Sequence, residues 1–191
     1  MSDERLWAPW RLEYLTGAEA TDRVEPPPEP VAWQPGADPL CFLCRAAAKY
    51  NQAAEVDREL HVAARGRHTL VVLNRYPYNN GHLMVAPLRH VAALAEMTPD
   101  EHLACMEWIT RLTQVLGELL HAEGFNIGLN LSRVAGAGCP GHLHWHVVPR
   151  WSGDSNFMSV LAGTRVIPQS LDALWELLTT AIQKEPGLAG S

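Results

Sequence analysis

The chain has 191 residues, 47% hydrophobic and 19% charged, with a formal charge of −6. This composition suits an ordinary globular protein with one good-sized core, and its acidic balance leaves no broad basic surface for long nucleic acids. The sequence has no run of about 18 apolar residues, and its charged start, Met1-Ser2-Asp3-Glu4-Arg5, is unlike a secretory signal, so the expectation is a cytoplasmic protein with no membrane contact.

Leu6, Trp7, Trp10, Leu12, Tyr14 and Leu15 make an aromatic-rich first segment, and the six prolines between Glu25 and Pro39 bar both helix and central strand. Residues 1–40 are therefore expected to be an N-terminal segment and connector, with a single domain over 41–191. Cys41-Phe42-Leu43-Cys44 opens a helical pattern that runs to Asp57. Leu60 to Ala64 and Thr69 to Leu73 read as a hairpin around Arg65-Gly66-Arg67.

Asn74 to Gly81 is dense in turn formers, and a strand resumes over His82 to Ala86. Thr98-Pro99-Asp100-Glu101 starts a helix with proline in the first turn and acids at the positive dipole end. Leu103, Met106, Trp108, Ile109, Leu112, Val115, Leu116 and Leu119 carry its periodicity to His121, with Gly124 expected to close it. Phe125 to Leu131 is the next strand, followed by a loop with Gly136, Gly138 and Gly141. A polar loop from Trp151 to Asn156, a strand near Thr164 to Ile167 and a helix from Ser170 to Lys184 complete the chain. Hairpin-length connections between strands predict an antiparallel sheet flanked by helices, an α+β fold.

The most informative stretch is Gly141-His142-Leu143-His144-Trp145-His146-Val147-Val148-Pro149-Arg150. In an extended strand successive side chains alternate between faces, so His142, His144 and His146 share one face and Leu143, Trp145 and Val147 the other. Three imidazoles on one face can converge on a phosphate group or a metal. Two of the four cysteines form a C-x-x-C pair, which in a protein of this class points to metal or redox chemistry rather than a disulfide framework.

The alternation at 142 to 148 resembles the histidine-triad signature of the HIT superfamily of nucleotide hydrolases and transferases. The likeness extends to Leu6-Trp7-Ala8-Pro9-Trp10-Arg11, Leu73 to Pro87, Gly124 to Asn130 and Pro149 to Phe157. These segments look like the bacterial branch that includes diadenosine tetraphosphate phosphorylase. The resemblance implies a HIT-like fold and a homodimer or larger assembly. It implies a reaction on dinucleoside polyphosphates through a nucleotidyl-histidine intermediate, with transfer to inorganic phosphate favoured over transfer to water. His144 would attack phosphorus, because a neutral imidazole is a good nucleophile and covalent catalysis splits one hard displacement into two. Its second nitrogen must then be held by an acceptor, which in the family is a backbone carbonyl. His146 would bond the phosphate and assist the leaving group. Asn74 and Asn130 match positions that contact nucleotide, and His82 matches a histidine that supports the active-site network. The glycines of the loop, Gly136 and Gly138, permit backbone N–H groups to face an anion, and Trp151 and Asp154 are expected at the substrate mouth.

By itself Cys41-x-x-Cys44 is open between zinc, redox and packing; a thioredoxin-like motif would need a βαβ context that is missing around it. The resemblance supplies His90 and His142 as partners, and two thiolates with two imidazoles suit a closed, structural zinc site. No organic cofactor is expected. Cys105 reads as core, Cys139 as a small filler in the glycine loop, and His61, His68, His102 and His121 receive no role. The alternatives are a hydrolase of dinucleoside polyphosphates or phosphoramidates, a nucleotide-binding regulator without turnover, and a metalloenzyme using all three triad histidines as ligands.

Overall fold

In the computed structural model, the structure describes residues 29–154 and 170–184. The aromatic N-terminal segment and the strand expected near Thr164 lie outside them. The C-x-x-C segment opens two short helices rather than one, α1 (Phe42–Ala47) and α2 (Ala53–Glu59). The interruption follows from pairing with an earlier stretch of chain. Ala48 turns to extended backbone at φ −68° and ψ 166°, and Lys49 is drawn into a bridge with Ala32, its N–H donating to the Ala32 carbonyl at 2.8 Å.

Five strands follow: β1 (Val62–Arg65), β2 (Thr69–Leu73), β3 (Leu83–Pro87), β4 (Gly124–Leu129) and β5 (Trp145–Arg150). They form one antiparallel sheet in the order β1-β2-β3-β5-β4. The expected hairpin joins β1 and β2, closed by Gly66 N–H donating to Thr69 O at 2.9 Å. Helix α3 (Pro99–Leu120) connects β3 to β4, and α4 (Leu171–Lys184) is the last described element. Thr98 caps α3 reciprocally: its hydroxyl accepts from Glu101 N–H at 3.2 Å while Glu101 Oε2 accepts from Thr98 N–H at 2.8 Å. Its C-terminus is closed by His121 at φ 52°, not by Gly124, which instead opens β4.

Every residue of β2 and β3 is buried, because helices cover both faces of the sheet. On one face Val71, Leu73, Leu83, Val85, Trp145 and Val147 pack with Cys105, Trp108, Leu112 and Leu116 of α3 and Leu174, Leu178 and Ile182 of α4. On the other, Leu70, Val72, Met84 and Ala86 pack with Leu43, Ala46 and Ala47 of α1 and with Cys41 and Cys44. Met84 is the register partner of His146. The histidine side of β5 is therefore the side that carries α1 and its cysteines.

Candidate active site and metal centre

The alternation read at 142 to 147 holds for the faces but not for the element. Leu143, Trp145 and Val147 enter the α3 core, yet β5 begins only at Trp145, so His142 and His144 stand on the extended lead-in rather than in the ladder. That lead-in is fixed by its own bonds, Leu143 N–H to Val91 O at 2.8 Å and His142 N–H to Cys139 O at 3.2 Å.

The three imidazoles do not converge on one point. His144 Nδ1–H donates to the His142 carbonyl at 2.8 Å, which leaves the Nε2 lone pair of a neutral ring available. Burial holds the His144 pKa below the usual histidine value, favouring that neutral form. The His146 ring stands edge-on to His144, with centroids 5.0 Å apart.

A hydrogen-bonded relay sets the tautomer of His146. Tyr78 N–H donates to His82 Nδ1 at 3.0 Å, and the Asn74 amide donates to the same nitrogen at 3.2 Å. The Asn74 amide is itself oriented by accepting Tyr76 N–H on Oδ1 at 2.9 Å. With His82 Nδ1 an acceptor, its proton sits on Nε2, which donates to His146 Nδ1 at 3.0 Å. His146 then carries its proton on Nε2, and the Asn130 side-chain amide 3.3 Å away can pair with that proton only through its oxygen, with the amide turned so that Oδ1 rather than Nδ2 meets the ring. Burial first, and then the neighbouring His146 and His144, push the His82 pKa down to about 3, so the His82 ring is neutral at physiological pH.

The substrate-binding expectations divide on where their polar atoms go. Asn130 lies beside His146, whereas Asn74 spends its amide on His82 and Tyr76. Gly136 N–H is taken by Arg133 O at 2.9 Å; its glycine is required by a φ of 86° in the turn, not by an N–H presented outward. Trp151 donates its indole N–H to Leu120 O at 3.1 Å. Asp154 accepts from Arg150 and from the Asn79 amide at 2.9 Å, and the Arg150 contact holds its carboxyl down at about 2. Trp151 thus fastens the segment after β5 to the end of α3, and Asp154 fastens it to the end of β5 and to the turn at Asn79. Gly138 lies on the same loop, one residue before Cys139. Tyr78 was given no role from sequence; its ring lies 4.6 Å from His82 and 5.7 Å from His146. Its place among the turn residues beside the triad segment was the only signal.

The second constellation gathers as the sequence suggested. One ligand atom each from Cys41, Cys44, His90 and His142 lie within 4.8 Å of one another. His90 Nδ1 is 3.1 Å from Cys44 Sγ, and His142 Nδ1 is 3.4 Å from Cys41 Sγ. The donor set fits a four-coordinate metal on three further counts. His142 Nε2–H donates to Pro87 O at 2.9 Å, which fixes the tautomer that frees Nδ1 for a metal. The Asp38 N–H points at Cys44 Sγ at 3.4 Å, a bond that favours the thiolate a metal would need, although without a metal burial pushes the Cys44 thiol up to about 12. Hydrogen bonds from Cys139 first and His142 after burial draw the Cys41 thiol down to about 3, the thiolate that a metal binds. Sequence reasoning missed that Cys139 reaches this cluster, its Sγ 3.4 Å from Cys41 Sγ.

The family pattern described as HIT domain matches residues 58–153. The AP-4-A phosphorylase of Mycobacterium tuberculosis is 39% identical over 184 residues, spanning 96% of this chain and 86% of the relative. The asymmetrical bis(5'-nucleosyl)-tetraphosphatase of Schizosaccharomyces pombe is 31% identical over 90 residues, spanning 47% of this chain and 49% of that protein. Among solved structures, a Zn-bound histidine triad family protein from Mycobacterium smegmatis matches with a TM-score of 0.52 at 29% identity, covering 63% of this chain and 81% of that one. A hypothetical histidine triad nucleotide-binding protein from Sulfolobus tokodaii shares the fold, with a TM-score of 0.56 at 21% identity over 73% of this chain and 92% of that one. The sheet, the histidine segment and the extent of these matches lead to one conclusion: the chain belongs to the HIT domain family.

Proposed function

We propose that the protein cleaves dinucleoside polyphosphates of the diadenosine tetraphosphate type, with inorganic phosphate as the final acceptor. His144 Nε2 attacks the α-phosphorus of one nucleotide, the bond to the bridging oxygen breaks, and ATP leaves. The nucleotidyl-histidine is then attacked by phosphate, which releases ADP and restores the imidazole. The observation that carries this reading is the 2.8 Å bond from His144 Nδ1–H to the His142 carbonyl. It fixes the nucleophilic tautomer and stabilises the ring as it becomes cationic. His146, donor-ready on Nε2 through the His82 relay, offers its proton to the bridging oxygen as charge develops there. Asn130, beside His146, is the first candidate for a substrate oxygen. Gly138 and its loop line the approach, with Trp151 and Asp154 shaping rather than bonding.

The 39% identity to the M. tuberculosis phosphorylase supports phosphate over water as acceptor. Incubation of purified protein with diadenosine tetraphosphate tests it: ADP and ATP formed only when phosphate is present is expected. AMP formation in phosphate-free buffer would instead identify a hydrolase.

Cys41, Cys44, His90 and His142 would hold zinc, which would supply structural rigidity at the root of β5 rather than a Lewis acid at phosphorus. The family's imidazole chemistry then falls to His144 and His146 alone. The exposed apolar residues Ile127, Leu131 and Val134, on and just beyond the edge strand β4, support association of two copies through that edge. Light scattering at micromolar concentration would return a dimer mass or exclude it. Among the described residues no helix is long and apolar enough to cross a membrane.

A further inference from the structure

We propose that Cys139 and Cys41 form an oxidative modification site, in which a peroxide converts the pair to a disulfide and removes Cys41 from the metal set. Four donors already complete a tetrahedral site, and Cys139 is surplus to them. Its sulfur nevertheless lies 3.4 Å from Cys41 Sγ, against about 2.05 Å in a disulfide. Closing that gap asks for a shift of little more than an ångström at the tip of a loop. Accessibility sets the order of events: Cys41 and Cys44 are buried, whereas Cys139 is partly exposed. Cys139 also sits in the loop from Ser132 to Gly141, a turn built on left-handed Ser132 and Gly136 rather than in the sheet.

The chemistry balances with hydrogen peroxide as oxidant. The Cys139 thiol passes its proton to the Cys41 sulfur 3.4 Å away as its own sulfur attacks one peroxide oxygen, the O–O bond breaks, and a sulfenic acid and, once the departing hydroxide is protonated, water result. The Cys41 sulfur then attacks the Cys139 sulfur, displacing the sulfenic oxygen as a second water once a proton is taken up. In sum, two thiols and one peroxide give one disulfide and two waters. The metal is left with Cys44, His90 and His142, and the loop becomes tethered to the start of α1. A thiol reductant reverses the change.

The test uses the full zinc-loaded chain. Hydrogen peroxide is added, zinc release is followed with a chromogenic chelator, and the products are digested without reduction for mass spectrometry. A Cys41–Cys139 cross-linked peptide that forms in step with zinc release, and reverts with dithiothreitol, is expected. The variant Cys139→Ser should bind zinc with unchanged stoichiometry and release it at least about tenfold more slowly under peroxide. Release from Cys139→Ser as fast as from the parent chain, or a Cys41–Cys44 disulfide in place of the Cys41–Cys139 one, would overturn the proposal. Loss of zinc from Cys139→Ser before any peroxide would overturn it too, by making Cys139 a ligand. Should the parent chain hold no zinc in metal analysis, the zinc reading fails separately, and the peptide map still decides between the two disulfides.

Discussion

His142 serves His144 with its backbone and the metal cluster with its side chain. Its carbonyl accepts His144 Nδ1–H at 2.8 Å, while its ring places Nδ1 3.4 Å from Cys41 Sγ and donates from Nε2 to Pro87 O at 2.9 Å. The metal cluster and the nucleophile are thus joined through one residue, and disturbing either should register at the other.

Replacement of His144 by alanine removes the attacking nitrogen. Turnover should fall at least about a thousandfold, the scale on which loss of a nucleophile is felt. Mass spectrometry of acid-quenched enzyme should show a nucleotide adduct on the parent chain and none on the variant. An adduct that survives in the variant would exclude His144 as the nucleophile.

Removing Cys44 tests the coupling from the metal side. Cys44→Ser should lose stoichiometric metal and lower the thermal midpoint by about 10 °C, a few kcal/mol for a domain of this size. Because the His142 ring would lose its metal anchor and keep only its bond to Pro87 O, kcat should also fall, although the substituted side chain is not part of the relay around His146. Metal analysis by plasma mass spectrometry, paired with calorimetry, reads both effects.

The relay gives a prediction with a sign in pH. Burial lowers the His82 pKa to about 3 in the folded chain, against about 6.5 unfolded. The unfolded chain therefore binds the extra proton first, and stability from the neutral ring is complete above about pH 6.5 and falls as the pH drops toward 3. Urea midpoints for His82→Gln should show a shallower decline than the parent between pH 6.5 and 5. At pH 7.5 the same variant should lose about 10- to 100-fold in kcat, because His146 loses the group that sets its tautomer.

A second pH effect arises from the cap of α3. Glu101, whose carboxylate is bonded to Arg89 at 2.7 Å and to Thr98 N–H at 2.8 Å, has its pKa held down at about 2, chiefly by the Arg89 contact. A depressed carboxylate contributes stability above its unfolded value near 4.3 and loses it as the pH falls through 2. Glu101→Gln should cost about 1–2 kcal/mol at pH 7, reduced from the full shift because Arg89 is partly solvated, and almost nothing near pH 2. Equilibrium unfolding at the two pH values provides the comparison.

Gly81 tests how tightly the turn before β3 is packed. It adopts φ 76°, and an added Cβ would lie 2.7 Å from Leu120 Cδ1 and 3.1 Å from Pro149 Cγ. Gly81→Ala should therefore destabilise by about 2 kcal/mol through backbone strain and overpacking together. A midpoint within experimental error of the parent would show that the turn yields.

Much of this was legible in the residues because the signals were local. Period-two alternation put Leu143, Trp145 and Val147 in the core and the histidines opposite, since side chains on extended backbone must alternate. Thr98-Pro99-Asp100-Glu101 announces α3, since a first-turn proline and acids at the positive dipole end are features of one helical turn. The end of the same helix is not legible in this way, because whether His121 or Gly124 takes the left-handed residue depends on where β4 must start to pair with β5. The helix expected to Asp57 breaks at Ala48 for a similar reason: Lys49 pairs with Ala32, a contact made by chain that precedes the helix.

The sequence by itself determined that three histidines would share a face and that two cysteines would share a helical turn, because both follow from the spacing of neighbours along one chain. Only the tertiary structure decided how those groups differ. It turned His142 toward α1, gave His144 a carbonyl and His146 a histidine partner, committed Asn74 to His82, and brought Cys139 to Cys41. Those outcomes depend on the ring orientations and on bonds between segments as many as 101 residues apart, such as that of Cys41 to His142. Packing both faces of the sheet is what fixes them.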